Sequence, residues 1–226
     1  MGPGRILAVV ASGLVVAGAV IAGALALGGT TQIAPPDEAQ PIVVGVVAAP
    51  GEELTGPTDL PPLAMVLGEP VPDDIAALSA SAQVERYRDE ARADDAASLL
   101  RLGSAEQRAG AQEAAADAYR RARAADPAAL GPVIGLAMAD AATGDAGLTR
   151  AATVLAGLTR DNPQSQLAWF NRGWLATYRR SGAEVLRSWR RVAEIDPDSP
   201  LGRTATALLE GIEDQARAQR GTRTNG

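Results

Sequence analysis

The chain lacks three side chains on which much protein chemistry depends. Among its 226 residues there is no cysteine and no histidine, and since all 21 basic residues are arginine there is no lysine. Without a thiol, an imidazole or an amine, the usual nucleophiles and bases, the common zinc ligands and the Schiff-base lysine are all missing. Carboxylates, hydroxyls and guanidiniums remain. The lack of cysteine also excludes a disulfide framework and a lipid-modified cysteine anchor. No glycine-rich loop leads to the lysine of a phosphate site, and no Gly-x-Ser-x-Gly elbow occurs. Carboxylates stand side by side at Asp37-Glu38, Asp73-Asp74 and Asp94-Asp95. Neighbours on a helix diverge by about 100°, and the first pair lies in a proline-rich stretch, so helix starts and solvation account for them better than metal or glycosidase chemistry. The expectation is a protein that is not an enzyme and uses no metal or cofactor. Arginine without lysine, in a chain rich in alanine and glycine, matches high-GC bacterial coding.

Charge narrows the partners. The formal net charge is −6, and beyond residue 28 there are 20 arginines against 27 acids, a balance of −7. Such a chain repels nucleic acid overall. Arginines do cluster, at Arg120, Arg121 and Arg123 and at Arg187, Arg190 and Arg191, but Asp117, Glu184 and Glu194 are interspersed with them. This is the pattern of a solvated, ion-paired helix face.

From Ile6 to Leu27 the chain runs 22 residues without a charge. As a helix that run would be about 33 Å long, enough for the hydrocarbon core of a bilayer. Arg5 is the only charged side chain before it, the first charges after it are Asp37 and Glu38, and the next basic residue is Arg86. The positive-inside bias therefore places the amino terminus in the cytoplasm and the rest outside. A cleaved secretory signal is the alternative, since Ala24-Leu25-Ala26 has the small-x-small form of a cleavage site. Either reading exports the chain. The retained single-pass anchor in a bacterial inner membrane is favoured by the length of the run.

Residues 29–71 read as a Pro/Gly-rich linker, interrupted by Pro35-Pro36, Pro50-Gly51, Pro61-Pro62 and Pro70. Within it Ile42 to Val47 has strand-forming residues, read either as locally extended linker or as a strand that adds to a partner's sheet. Helical patterning begins at Asp73, where Ile75, Leu78, Val84 and Tyr87 suit an amino-terminal cap spanning 72–95.

From there a proline recurs at Pro127, Pro163 and Pro197, each after an acidic or amide residue, at intervals of 36 and 34 residues. Ahead of Pro127 come Leu99 and Leu102, then Gly103, a turn at Gly110, and Ala115, Tyr119 and Ala122 on one face of a second helix. Leu136, Ala137, Gly144, Ala151 and Leu155 repeat that frame after a longer turn, with Leu158 where a small residue is expected. Trp169, Gly173, Trp189 and Val192 repeat it again, with Arg172 in an apolar place and Gly182 late for the turn. Small residues belong where helices cross closely, and large ones where neighbouring units must be filled. From Pro200, Leu201, Ala205, Leu208, Leu209 and Ile212 form an apolar stripe suited to a closing helix.

Over residues 96 to 215 these motifs resemble the tetratricopeptide repeat, a helix-turn-helix unit of about 34 residues. The resemblance implies an all-α fold, a right-handed superhelix of about three units at 96–199, closed by a capping helix at 200–220. Residues 1–5 would be a short cytoplasmic terminus, 6–28 the membrane helix or signal, and 221–226 a disordered tail. It also implies that the first helix of each unit lines a concave groove, which assigns Leu100, Ile134, Met138, Phe170 and Trp174 to that groove. Asn171 and Arg108 would add polar contacts. Five of the seven aromatics, Trp169, Phe170, Trp174, Tyr178 and Trp189, lie in the third unit. Trp169 and Trp189 are expected in the core, whereas Phe170, Trp174 and Tyr178 suit either buried packing or an exposed anchor. The functional expectation is a membrane-tethered adaptor that binds a protein or peptide in its groove and scaffolds an envelope complex. An accessory subunit of an envelope enzyme or carboxylate-based hydrolase, and a homo-oligomer held through the apolar run and groove, are the other readings.

Overall fold

The computed structural model describes residues 62–224, so the Ile6–Leu27 run, the Ile42–Val47 stretch and most of the expected linker lie outside the described residues. Among the described residues the protein is all-helical: α1 (Asp73–Ala76), α2 (Ala80–Glu90), α3 (Ala96–Arg108), α4 (Gln112–Ala125), α5 (Leu130–Ala141), α6 (Asp145–Asp161), α7 (Gln166–Tyr178), α8 (Gly182–Ile195) and α9 (Pro200–Thr224). None of these is long and apolar enough to cross a membrane.

The prolines act as stops. Helices α4, α6 and α8 are followed by Asp126, Asn162 and Asp196, with φ of −139°, −129° and −158°. The ring of the following proline clashes with a helical conformation at the residue before it. Asp126 and Asp196 then accept the amides of Ala128 and Asp198, which tightens the turn into the next helix. Start signals are equally local: Ser79, Asp95 and Ser165 cap α2, α3 and α7 by accepting the amides of Ala82, Ala97 and Ala168.

Three helix hairpins, α3–α4, α5–α6 and α7–α8, follow in succession. Each turns through one residue of left-handed backbone: Gly110 (φ 81°), Gly144 (φ 120°) and Arg180 (φ 54°). The third turn thus uses an arginine where the first two use glycine, and Gly182 is not its turn residue but the first residue of α8. Consecutive odd-numbered helices α3, α5, α7 and α9 touch one another, whereas α4, α6 and α8 do not. The array is therefore pinched on the odd-numbered side, which forms its inner face.

Within the hairpins, glycines admit aromatic rings. A Cβ built on Gly103 would lie 2.6 Å from the ring of Tyr119, and one built on Gly135 would meet that ring at the same distance, so the ring is gripped between α3 and α5. Trp189 stands in the same relation to Gly173, where a Cβ would come within 2.5 Å of its Nε1. Tyr119 and Trp189 are completely buried. Trp169, expected in the core, is only half-buried: its Nε1 donates to the Pro163 carbonyl at 3.1 Å, and the Arg172 guanidinium lies 5.3 Å above its ring. Arg172 also donates to Glu184 at 2.9 Å and to Thr159 at 2.8 Å, so the arginine in an apolar place is held by polar partners at the edge of the hairpin. On the outer face, Arg120 pairs with Asp117 and Arg191 with Glu194.

Three boundaries differ from the sequence reading. The expected cap at 72–95 is two helices, in which Val71, Ile75, Val84 and Tyr87 pack with Leu102, Ala105 and Ala118, while Leu78 is 39% exposed. The closing helix continues through 221–224 to Thr224, past the expected limit at 220. The last part of the expected linker, residues 62–71, is not a solvated tether: Leu63, Ala64, Met65 and Val66 are all buried.

Candidate functional site

An extended piece of the chain lies on the inner face. Its amides would be unsatisfied away from water, and side chains of the odd-numbered helices satisfy them. Met65 N–H donates to Gln107 Oε1 at 2.9 Å, and the Ser104 hydroxyl donates to the Met65 carbonyl at 2.9 Å. Val66 N–H donates to Asn171 Oδ1 at 2.8 Å, while Asn171 Nδ2 donates to the Val66 carbonyl at 2.9 Å. One amide side chain thus completes both backbone groups of a single residue, as a neighbouring strand would. Asn171 Nδ2 also donates to Leu167 O at 2.9 Å, which fixes the amide against its own helix.

The segment reaches helices at both ends of the array. Leu63 shares a cleft of about 300 Å³ with Ala141, Leu148 and Tyr178. Further along, Gly68 lies against Leu201 of α9, and Glu69 pairs with Arg101 of α3 at 2.6 Å. Residue numbers on α3 and α7 fall as those on the segment rise, so it runs antiparallel to the inner helices. The spacing fits: three residues of extended chain from Leu63 to Val66 advance about 10 Å, as do the seven residues of α7 from Tyr178 to Asn171, at about 1.5 Å each. Successive side chains of an extended chain point to opposite sides, and four consecutive buried residues mean that both sides are covered.

The energetics of this seat are balanced. Burying Leu63, Met65 and Val66 contributes roughly 5–8 kcal/mol, and four hydrogen bonds add about 0.5–1.5 kcal/mol each. Fixing the backbone of five residues costs roughly 5–10 kcal/mol. Two further groups are left unserved. Gln107 Oε1 accepts from both Met65 N–H and, at 2.6 Å, the Tyr119 hydroxyl, which fixes its amide orientation. Its Nε2 is then a buried donor without an acceptor, and so is Trp174 Nε1.

Every residue assigned to the groove can now be placed. Ile134, Met138, Phe170, Asn171 and Trp174 are at most 2% exposed. All the apolar ones belong to the cluster that includes Leu63, Met65 and Val66. Phe170 and Trp174 are therefore buried packing rather than exposed anchors: Phe170 stacks obliquely on Trp189 with centroids 6.0 Å apart. Tyr178 is half-buried, edge-on to Trp174 at 5.6 Å, and burial pushes its hydroxyl pKa up. Leu100 is half-buried and rests on Gly131, where a Cβ would lie 2.7 Å from its Cδ1. Arg108 donates to the Ser104 hydroxyl at 2.8 Å and to Gln83 at 3.3 Å, and desolvation lowers its pKa. Ser104 thus links Arg108 to the Met65 carbonyl. Burial raises the Tyr119 hydroxyl well above its ordinary range, keeping it a donor to Gln107.

Sequence reasoning missed Ser104, Gln107 and the segment itself. A signal was present: Leu63-Ala64-Met65-Val66-Leu67 is an uninterrupted apolar run between Pro62 and Pro70, more apolar than a solvated tether needs. Of the adjacent carboxylates within the described residues, Asp73 and Asp74 occupy the first turn of α1, and Asp95 caps α3. Among the described residues no three carboxylates converge as metal ligands. No family model matches the chain, and no curated protein matches it.

Proposed function

We propose that the protein is an extracytoplasmic, membrane-tethered adaptor of tetratricopeptide-repeat type that holds an extended protein segment on its inner face and so helps assemble an envelope complex. The observation that carries this reading is the grip of Asn171 on both backbone groups of Val66, because recognition through the backbone and flanking apolar packing is how a surface receives an extended peptide. The repeat assignment is supported by the regular return of proline stops and of left-handed turn residues, and by glycine–aromatic crossings in the first and third hairpins. The tether is supported by the uncharged Ile6–Leu27 run and the distribution of arginine around it.

Two measurements test it. Photoreactive residues placed in the cell at the half-buried inner positions Leu100 and Tyr178 should crosslink to a partner protein, whereas those at the exposed outer positions Arg121 and Arg190 should not. Equal crosslinking from both faces rejects the inner-face reading. The intact mass of the membrane-extracted protein decides the tether, since loss of about 26 residues marks a cleaved signal.

A further inference from the structure

The inner face is occupied by the chain's own residues, and the manner of occupation identifies what competes for it. We propose that residues 62–67 are an internal pseudo-ligand, which an extended apolar segment of a partner protein displaces. The inference rests on the groove reading above and adds its regulation and the chemistry of the ligand.

Three observations carry it. The hydrogen bonds to the segment, from Gln107, Ser104 and Asn171, all go to its backbone, so an apolar segment in the same extended conformation makes the same four bonds. The seat is incomplete: Gln107, whose Oε1 accepts from Met65 N–H, keeps in Nε2 a buried donor that the resident segment leaves without an acceptor. An extended apolar segment that carries an oxygen acceptor opposite that donor fits better than the resident. The segment also has a place to bend. Gly68, Glu69 and Pro70 are exposed, whereas Val71 and Ile75 are anchored to α2 and α3, so residues 62–67 can leave while the rest of the chain stays docked. The ion pair of Glu69 with Arg101, both half-exposed, is a weak latch. A resident segment acts at a millimolar effective concentration. It therefore keeps the face closed to weak or unspecific apolar segments and yields to one that binds distinctly better.

The test uses the full chain in detergent micelles and a fluorescent synthetic peptide of residues 62–72 as the probe. Met65→Glu with Val66→Glu places two charges where only apolar contacts are available and should eject the resident segment. If the proposal is correct, the double variant keeps its helical circular dichroism and binds the probe at least tenfold more tightly than the unaltered chain. Adding Asn171→Ala should abolish that binding. A double variant that loses its helical structure shows the segment to be part of the core and overturns the proposal. Probe binding that is equally tight in the unaltered chain overturns the pseudo-ligand while leaving the groove reading intact. A folded double variant that binds no probe overturns both. Dimers of the double variant, detected by light scattering without added peptide, assign the face to a second copy and overturn the partner reading.

Discussion

Asn171 and Val66, 105 positions apart, are joined by two hydrogen bonds of 2.8 and 2.9 Å, one to each backbone polar group of the valine. Both residues are buried, so no water is placed to replace a bond that is lost. Asn171→Ala should therefore either strand a buried N–H and C=O or release the segment. We expect a loss of about 2–4 kcal/mol from the two broken bonds and the stranded groups. Hydrogen exchange separates this from general loosening: the amides of Met65 and Val66 should lose protection while those of α7 keep it. Unchanged protection at both amides would show that apolar packing alone seats the segment.

The ring of Tyr119 fills the space that Gly103 and Gly135 leave between α3 and α5. Gly103→Ala puts a carbon 2.6 Å from a fully buried ring, and overpacking of this kind costs about 1–3 kcal/mol. In a Tyr119→Leu background the same substitution should cost less than half as much, because its obstacle is gone. Thermal melts of the four proteins give the coupling directly. Additive losses would mean that the backbone shifts to accommodate the methyl group.

The architecture could be read from the chain because its cues are local. A proline disfavours helix at the residue before it, a glycine permits left-handed backbone, and a small residue lets an aromatic ring approach. Leu99, Leu102, Ala115, Tyr119 and Ala122, assigned to packing by spacing, are all buried. The groove residues rest on the repeat resemblance, and their burial is not legible in the chain, because it depends on a contact between residue 66 and residue 171 that no local pattern encodes. Phe170 and Trp174 were open to either role until the segment was placed. Pro61-Pro62 and Pro70 suggest a tether by composition, and that reading leaves the apolar run between them out of account. The third turn departs from the glycine pattern: Gly182 falls late for it, and Arg180 occupies the strained position.

That strain is testable. Arg180 holds φ at 54° in the turn between α7 and α8, where the two earlier turns have glycine. A side chain in this region costs about 1–2 kcal/mol, offset in part by the extra freedom that glycine has when unfolded. Arg180→Gly should therefore stabilise the protein by up to about 1 kcal/mol, seen as a higher melting temperature. The opposite substitution at an equivalent turn, Gly110→Ala, should destabilise by about 1 kcal/mol, although a Cβ there meets nothing within 4 Å. A loss from Gly110→Ala without a gain from Arg180→Gly would assign the arginine side chain a stabilising contact of its own.

Glu106 gives the fold an unusual response to pH. Its side chain is 6% exposed, its Oε2 has no hydrogen-bond partner, and Arg88, itself half-exposed, reaches Oε1 only at 3.5 Å. Desolvation raises its pKa above the ordinary glutamate value, with Arg88 opposing and the smaller effects of Arg121 and Asp117 cancelling in sign. A carboxyl whose pKa is higher in the folded state holds its proton more tightly there, so its contribution to stability is greatest below the unfolded value and is lost as pH rises through the folded one. Asp95 and Asp140 act in the opposite sense. Their folded pKa values are lowered, at Asp95 because desolvation is outweighed by the hydrogen bonds of Ser98 and Ala97 and at Asp140 by Arg150, so their contribution is lost on acidification. The difference between the unaltered chain and Glu106→Gln isolates the one group. Glu106→Gln should be at least as stable near pH 7, and its advantage should shrink as pH falls toward the glutamate range, read from paired denaturation curves across that interval. An advantage that instead grows on acidification would mean that Arg88 holds the carboxylate ionised in the folded protein, and that the pair, rather than the desolvated acid, governs this end of α3.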